Sequence, residues 1–531
     1  MPHVSTLVQS DNDLYVVAED GGGVQLTLPS TVTMVATRPP RFEVNGVHAI
    51  VVNSVDQPLI VDDNGIVLFL SPLAPTTAPT VAVGTAGALT GTFGVKYTFV
   101  VRTLDDVVVA ESGFSASASV ALTADKLAVS NIQTMPGLTA AIDPRYEIIR
   151  RFYRTTAGTS TYFKWYDLEN NTSTTFEDDA SDAAIGVLAA ENLATTPFLS
   201  NIASFRDRLF GVNDSENREH LLYTETGLRW AWPPENLFTA PQVKGDAQSG
   251  ITALMPRNEA LGVAKSSMLM QVTGTGDDDF RLVILSSTVG ARNQETCAAY
   301  RDHWYFLSHD GVYQWGNDIK CVSDGRVRSW FTTDTYFNRD LFDVAFAEID
   351  PVDKNYKLYL ASAGSEIIDT WVELDLDTMT WWGPHRTDAY VFSSTLRLGS
   401  HSPLVGAGTE DGFITINTDT RSDDEDTAIE SEAITCPLKI VDPPVMAYWG
   451  TLTTEVDPQA AGTLAVYPTV GELSESEDTV LNHALTTASS SLGRLGYGRF
   501  AKLRFYHNTI NQVLQILGFE IDPVSIVGRR Q

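Results

Sequence analysis

The sequence predicts an all-β protein: a β-propeller of about six blades, an inserted fibronectin- or immunoglobulin-like β-sandwich, and a C-terminal β-sandwich. The chain consists of short apolar or alternating runs, such as VHAIVVN, KYTFVVRT and HWYFLS, bounded by Gly, Asp, Asn and Ser. Runs of this kind are typical of strands and turns. Hairpin-like segments also recur at a nearly regular interval, as expected for propeller blades.

The proposed blades share one pattern, in which an apolar strand, a polar turn and a second apolar strand are followed by a loop. Five such hairpins start about 43 to 54 residues apart, which is the spacing of four-stranded blades. A sixth hairpin precedes them at Val47. The five begin at or near Arg208, Ala260, His303, Lys357 and Pro403.

The hairpin at Val47 precedes the hairpin at Arg208 by one blade period plus a stretch of extra residues. This stretch is long enough to form an inserted domain. The extra stretch, residues 77–195, opens with a Pro, Ala, Thr and Gly-rich segment and then contains several short strand-like runs, including YEIIRRFYRT. Several short strands in about 100 residues favour a small β-sandwich. Residues 1–76 are then assigned to N-terminal strands and the first blade, and residues 196–425 to the remaining blades.

A change of composition follows near residue 420, where the acidic run RSDDEDTAIESE begins. Runs of like charge usually form solvated connections. Beyond it, LKIVD, GTLAVYP, FAKLRFYH and QVLQILGFEID again have the character of strands. We therefore predict a C-terminal β-sandwich over residues 426–531.

Charge and composition exclude several classes of protein. The 531 residues carry 67 acidic side chains against 36 Lys and Arg, a formal net charge of −31. Binding to nucleic acid or to an anionic membrane requires clustered basic residues, and the excess of acidic side chains disfavours such clusters. No membrane insertion and no export signal are expected, because no window approaches about 18 consecutive apolar residues and the N-terminus has no apolar core. The three cysteines, Cys297, Cys321 and Cys436, are too widely spaced to indicate a zinc site or a disulfide framework.

Catalytic motifs are missing from the sequence. It contains no G-x-S-x-G, H-E-x-x-H, Walker or Rossmann motif, and we expect neither enzymatic activity nor a cofactor. The segment SHDGVYQW approaches the Asp-box turn of sialidase-type propellers, but its Asp310 and Gly311 are adjacent and the motif occurs once. An Asp-Gly pair between apolar strands is also an ordinary hairpin turn.

Two acidic loops are candidate contact sites. Asp277, Asp278 and Asp279 lie in the Gly-flanked segment GTGDDDF, and Asp423, Asp424, Glu425 and Asp426 lie in the acidic run. Three adjacent carboxylates in one loop cannot all converge on a calcium ion, so solvated loop tips are favoured over metal sites.

Tryptophan is frequent around the proposed blades, with pairs at Trp230 and Trp232 and at Trp381 and Trp382. Exposed pairs could stack on sugars, whereas buried ones would pack blades face to face, and packing is the favoured interpretation.

Several sequence segments in the central part of the chain occur in a recognisable order. FRDRLFGVN, LLYTETGLRWAWPPEN, LGVAKSSMLMQVTG, SSTVGARNQET, YFLSHDGVYQWG and WVELDLDTMTWWGP follow one another between residues 201 and 383. This succession resembles the β-propeller tail nozzle proteins of podovirus-type bacteriophages, also called tail hub, tail tubular or stabilisation proteins. The first blade, the insert and the GRFAKLRFYH…GFEID…GRR tail resemble them more loosely.

The resemblance implies a structural protein of the virion tail. Six copies would form a ring below the portal and adaptor proteins, tail fibres or a needle or plug would attach to it, and genomic DNA would pass through without sequence-specific binding. Like charge would then oppose DNA adhesion to the channel wall. We hypothesise that the two acidic loops face the channel or an arginine of a neighbouring subunit.

Two other functions remain open at this level. A carbohydrate-binding or sialidase-like propeller of a tail depolymerase would normally repeat the Asp box. A cellular scaffold of the WD-repeat type would carry G-H and W-D signatures at a shared period, which are missing here.

Overall fold

The structure is a computed structural model. It describes residues 6–10, 12–17, 23–35, 40–137, 143–189, 193, 196–212, 217–242, 250–325, 327–386, 390–396, 404–409, 414–416, 423–424, 427–428, 431–434, 438, 447–456, 458, 462–471, 480–498, 500–507 and 516–526. Within this part of the chain nearly all regular structure is β, and no helix has the length and hydrophobicity needed to span a membrane.

The N-terminal region contains a three-stranded sheet and then the first four-stranded sheet, which we call blade 1. The three strands are β1 (Thr6–Ser10), β2 (Asp13–Val17) and β3 (Gly23–Gln25). Blade 1 contains β4 (Arg41–Asn45), β5 (His48–Val52), β6 (Leu59–Val61) and β7 (Val67–Phe69).

The next six strands form the insert, in the order β12-β11-β8-β10-β13 with β9 on β8. They are β8 (Thr80–Thr103), β9 (Val108–Glu111), β10 (Ala118–Ser130), β11 (Tyr146–Thr155), β12 (Tyr162–Leu168) and β13 (Phe176–Asp178).

The insert closes on itself as a sandwich does. In a flat sheet, three steps of about 4.8 Å would hold β11 and β13 about 14 Å apart. The rings of Phe152 on β11 and Phe176 on β13 have centroids only 4.8 Å apart. The continuous sheet therefore curls until its two ends face each other across a common core.

Four more blades follow in the chain, each with its strands in sequence order. Blade 2 contains β14 (Asn201–Phe205), β15 (Arg208–Val212), β16 (His220–Tyr223) and β17 (Leu237–Thr239). Blade 3 contains β18 (Ala253–Pro256), β19 (Ala260–Ala264), β20 (Leu269–Thr273) and β21 (Arg281–Ser286). Blade 4 contains β22 (Ala298–Tyr300), β23 (His303–Leu307), β24 (Val312–Trp315) and β25 (Ile319–Cys321).

Blade 5 follows the short helix α1 (Arg328–Thr332) and a 3-10 turn (Arg339–Leu341). It contains β26 (Phe346–Asp350), β27 (Asn355–Leu360), β28 (Thr370–Asp375) and β29 (Thr380–Arg386). The hairpin predicted near Pro403 lies in a three-stranded sheet of β30 (Tyr390–Leu396), β31 (Leu404–Thr409) and β32 (Ile414–Ile416).

The propeller prediction is confirmed by this arrangement. Each predicted hairpin supplies the second and third strands of a sheet, and first strands of successive sheets are neighbours: β4 lies beside β14, β14 beside β18, and β22 beside β26. Strands such as β6 and β19 are buried along their whole length. Continuous apolar runs such as LIV and ALGVA suit sheets that are covered on both faces.

The insert shares its core with blade 1. One hydrophobic cluster contains Leu68 of β7, Phe93 of β8 and Phe152 of β11, together with Trp232. Tyr146 also donates a hydrogen bond from its hydroxyl to Asp62 Oδ2 of the β6–β7 turn at 2.8 Å. The insert is therefore anchored on the first blade.

The C-terminal region begins with the short pair β33 (Asp423–Asp424) and β34 (Thr427–Ala428). Two sheets follow, ordered β35-β40-β37-β38 and β39-β36-β41. The strands are β35 (Ser431–Ile434), β36 (Ala447–Val456), β37 (Thr463–Gly471), β38 (Leu481–Ala484), β39 (Ser489–Gly498), β40 (Phe500–His507) and β41 (Ile516–Ile526). Leu452, Leu464 and Leu503, from both sheets, share one buried cluster, which makes this region a β-sandwich.

The chain divides into two compact units. The first comprises Met1–Ile368, Glu373–Trp382 and Val391–Phe413, and the second comprises Asp369–Val372, Gly383–Tyr390 and Ile414–Gln531. The division into four domains at the predicted boundaries stays a prediction.

Candidate functional site

The first predicted acidic loop connects the two outer strands of blade 3, β20 and β21. Its three carboxylates have different environments. Asp277 accepts a hydrogen bond from Arg208 Nη2 at 2.7 Å. Arg208 belongs to β15 of blade 2, and its side chain is only 4% exposed. Asp277 thus ties two neighbouring blades of the same chain together.

The other two carboxylates of this loop behave differently. Asp279 accepts hydrogen bonds from the backbone N–H groups of Thr275 and Gly276, both at 2.8 Å. These N–H groups hold the pKa of Asp279 below its usual value, because they stabilise the charged form. Asp278 is exposed at the tip. It is the member of the triplet that is most open to a partner.

The second acidic loop is described only in part. Asp423 and Asp424 form β33, which pairs antiparallel with β34. Glu425 and Asp426 lie outside the described residues. The hypothesis that the two acidic loops face a channel or a neighbouring subunit stays a prediction.

A second candidate site emerges from the polar contacts between the inner strands. We call it the axial cluster and define it as Arg41, Glu43, Asn201, Gln294 and Glu295. Asn201 of β14 accepts from Arg41 Nε at 3.4 Å and donates to the carbonyl of Thr252 before β18 at 3.0 Å. Glu43 Oε1 accepts the backbone N–H of Ser204 at 2.7 Å.

The segment before β22 continues the axial cluster into blades 3 and 5. Gln294 exchanges two hydrogen bonds with the backbone of Leu254, at 2.7 and 3.1 Å. The carbonyl of Glu295 accepts the N–H of Ala347 at 2.8 Å. The Glu295 carboxylate also pairs with Arg41, so that blade 1 is joined to the segment between blades 3 and 4. Side chains therefore connect blades 1, 2 and 3 with the segment before blade 4, and a backbone hydrogen bond connects that segment to blade 5.

The electrostatics of the axial cluster favour a structural role. Burial raises the pKa of Glu43, although the Ser204 hydrogen bond partly opposes the shift. Nearby Cys297 has a pKa raised by burial, so its thiol is protonated at neutral pH and is a poor nucleophile. Cys297 and Cys321 are both free thiols, and Cys436 lies outside the described residues.

Sequence reasoning missed the axial cluster. Its members come from strands β4 and β14 and from the segment ARNQETC, which are far apart in the chain. The available signal was the run of five polar residues at 292–296, all able to form hydrogen bonds, which lies between two apolar blades where a simple connection would not require them.

The Asp-Gly pair of the SHDGVYQW segment forms the turn between β23 and β24. Ser308 N–H donates to the carbonyl of Gly311 at 2.8 Å, and Gly311 has a φ of 151°. The Asp310 carboxylate accepts from the Tyr313 hydroxyl and from Arg328 Nη2, each at 3.0 Å. Its oxygens are engaged within the chain, as a structural turn requires.

Most of the tryptophans pack between strands. Trp315 is 2% exposed and lies over Gly262 of the preceding blade, where an added Cβ would come within 2.4 Å of the ring. Trp304 donates from Nε1 to the carbonyl of Pro256 at 2.9 Å, again from blade 4 to blade 3. Trp230 is buried, whereas Trp382 is 56% exposed.

No group of three or more His, Cys, Asp or Glu side chains placed to hold a metal ion occurs among the residues the structure describes.

No family model matches the chain, and no curated protein matches it. Among solved structures, BBS1N in complex with ARL6DN is 10% identical, with 64% of this chain and 97% of that chain covered at a TM-score of 0.27. YCF48 bound to the D1 peptide is 12% identical, covering 60% and 94% at 0.17. A fungal alcohol oxidase of the AA5 family, in complex with copper, is 11% identical, covering 82% and 92% at 0.26.

Proposed function

We propose that this chain is a structural component of a bacteriophage tail. It forms a ring-shaped nozzle or hub below the portal and adaptor, channels DNA during ejection, and anchors tail fibres or a plug. One observation carries this proposal: the phrases that resemble the tail nozzle family lie on four consecutive blades, in the segment 201–383. LGVAKSSMLMQVTG covers β19 and β20, and YFLSHDGVYQWG covers the β23–β24 hairpin.

The inter-blade contacts support a role that requires a rigid propeller. Asn201, Gln294 and Glu295 join successive blades, and Arg208 joins blades 2 and 3 again near their outer loops. Each bond adds only about 1 kcal/mol, but together they resist sliding of one blade past the next. A component through which a genome passes under pressure needs such rigidity.

The charge supports the same role. With a net charge of −31 per chain, a ring of six would gather about 186 formal negative charges, which would oppose DNA adhesion. Asp278 at the exposed loop tip contributes to this field without an ion pair among the described residues.

The outer strand of blade 3 suits a lateral contact with a second copy. β21 is the last strand of its sheet, and its Val283, Ile284 and Leu285 are 45%, 48% and 36% exposed. An exposed apolar edge strand is normally protected or paired. In our proposal it is covered by the neighbouring subunit of the ring.

Negative-stain microscopy and light scattering of the purified full chain test the proposal. We expect rings of several copies of the 57.9 kDa chain, with six-fold symmetry, at high protein concentration. Ile284→Lys should shift the equilibrium toward monomer, because the charge would be buried at the contact. Val352→Lys, at a residue 48% exposed outside the sheet, is the matched control.

If the chain is instead a depolymerase, the same purified protein should remain monomeric and show enzymatic activity. A chain that stays monomeric at every concentration and releases reducing sugar from a bacterial polysaccharide would overturn the nozzle proposal.

A further inference from the structure

A polar cleft opens where blade 1, blade 2 and the insert meet. Its volume is about 450 Å³, and its lining includes Asn45, Val108, Arg208, Thr226, Arg229 and Trp230. Two arginines, Arg208 and Arg229, line the cleft, and they differ in how their charges are balanced.

The charge of Arg208 is balanced within the chain. Its Nη2 donates to Asp277 at 2.7 Å and its Nη1 to the carbonyl of Thr224 at 2.5 Å. Arg208 therefore belongs to the wall of the cleft.

The charge of Arg229 is not balanced in this way. Its Nη1 lies 2.9 Å from Nδ1 of His48, and no carboxylate in the described part of the chain forms an ion pair with it. Burial lowers the pKa of Arg229, and burial together with the Arg229 charge lowers the pKa of His48. The charges of Asp62 and Asp63 oppose the lowering of the His48 pKa, but neither carboxylate forms an ion pair with Arg229. The imidazole accepts from the guanidinium, so among the described residues the half-buried charge of Arg229 has a neutral hydrogen-bond partner and no carboxylate of its own.

The surroundings of Arg229 define the chemistry of a ligand. A guanidinium binds carboxylate in a forked arrangement, which makes the carboxylate a better match than a neutral group. The Thr226 hydroxyl and the Asn45 amide also line the cleft, although the Asn45 nitrogen already donates one hydrogen bond to Ser204 Oγ at 3.2 Å. Asp207 also lines this cleft with an exposed carboxylate, and its negative charge opposes the binding of an anion, which the Arg229 contact has to outweigh.

The cleft offers no platform for a sugar ring. Trp230 is 8% exposed and packs against Leu193 and Ala231, so its ring face is not open to stacking. A peptide needs no such face, because one acidic side chain can enter while its backbone stays at the rim.

We propose that this cleft binds a carboxylate side chain of an extended acidic peptide segment from a partner protein, with Arg229 as the anchoring cation. The inference is independent of the proposed tail function, since it rests on the unbalanced charge and the shape of the cleft.

Calorimetry with the full chain tests the proposal. The probe is a glycine–serine peptide, capped at both ends, with three central glutamates, and the control peptide carries glutamines instead. We expect saturable binding of the first and none of the second. Arg229→Gln should weaken binding about tenfold or more, and Arg229→Lys should restore only part of it, because a lysine lacks the fork.

The matched control is Arg206→Gln, which removes an exposed arginine two residues before Arg208 that does not line the cleft. It should leave the affinity unchanged. Equal losses in the Arg206 and Arg229 variants would show non-specific attraction and overturn the proposal.

A measurement on the unmutated protein avoids any dependence on variant folding. Binding of the peptide should raise the pKa of His48 in an NMR titration, because the carboxylate would neutralise Arg229. An unchanged His48 titration would refute binding at this cleft. N-acetylneuraminic acid serves as a competitor, and tighter binding of this acidic sugar than of the peptide would refute the peptide assignment.

Discussion

The Asp277–Arg208 pair allows the acidic loop to be tested as a structural tie. Replacing Asp277 with Asn keeps the shape of the side chain but removes the charge that faces a guanidinium at 2.7 Å. Asp278→Asn, one residue further on, removes the same charge from an exposed side chain. The two substitutions have the same effect on net charge, so any difference between them reports the local contact.

The expected magnitude follows from burial. A hydrogen bond to a charged group contributes about 1.5 to 3 kcal/mol when buried, and an exposed ion pair contributes about 0.2 to 1 kcal/mol. Asp277 is 45% exposed, whereas Arg208 is 4% exposed and keeps its bond to Thr224 after the substitution. We expect Asp277→Asn to lower the free energy of unfolding by about 1 to 2 kcal/mol.

Native-state hydrogen exchange is the appropriate assay, because a chain of several domains does not unfold in two states. Amides of β15 and β20 should exchange about five- to thirty-fold faster in the Asp277 variant, and at the original rate in the Asp278 variant. A double-mutant cycle with Arg208→Ala should show coupling between the two side chains. Equal exchange in both variants, or additive effects in the cycle, would refute the structural role of Asp277.

Two further predictions concern other parts of the first compact unit. Gly262→Ala should speed hydrogen exchange at the amides of β19 and β24, because the new Cβ would lie 2.4 Å from the Trp315 ring; unchanged exchange would contradict the close packing of blades 3 and 4. Burial lowers the pKa of Lys96 from 10.5 to about 8, so the unfolded chain binds more protons than the folded chain between these values, and stability should rise with pH there. The effect should disappear in Lys96→Met, and amine acetylation of Lys96 should be half-maximal near pH 8; a titration near pH 10.5 would show that the Phe114 ring, with its centroid 3.4 Å from Nζ, offsets the effect of burial on the charge.

Local patterns in the sequence were sufficient for the propeller. The hairpins at Val47, Arg208 and Ala260 could be placed because a blade is built from neighbouring strands, and alternation or continuous apolar runs report whether a sheet is covered. The interruption after the first blade was visible for the same reason, since one interval in the series was too long.

The candidate sites depended on contacts that no local pattern contains. Asp277, Asp278 and Asp279 are three consecutive residues of the same type, yet Asp277 joins two blades, Asp279 accepts hydrogen bonds from its own loop and Asp278 is exposed at the tip. Their difference arises from where β15 of another blade presents Arg208.

The amino-acid sequence alone was enough to predict an all-β propeller with an insert and a C-terminal sandwich. Strand periodicity and hairpin spacing can be read from residues that are close together in the chain. Only the tertiary structure decided that the insert shares the core of blade 1, that Arg41 meets Glu295, and that Arg229 keeps an unbalanced charge beside His48. Each of these depends on residues more than 150 positions apart or on burial by another element. The energy of such contacts depends on the distance between the groups and on their exclusion from solvent. Neither quantity can be read from the amino-acid sequence.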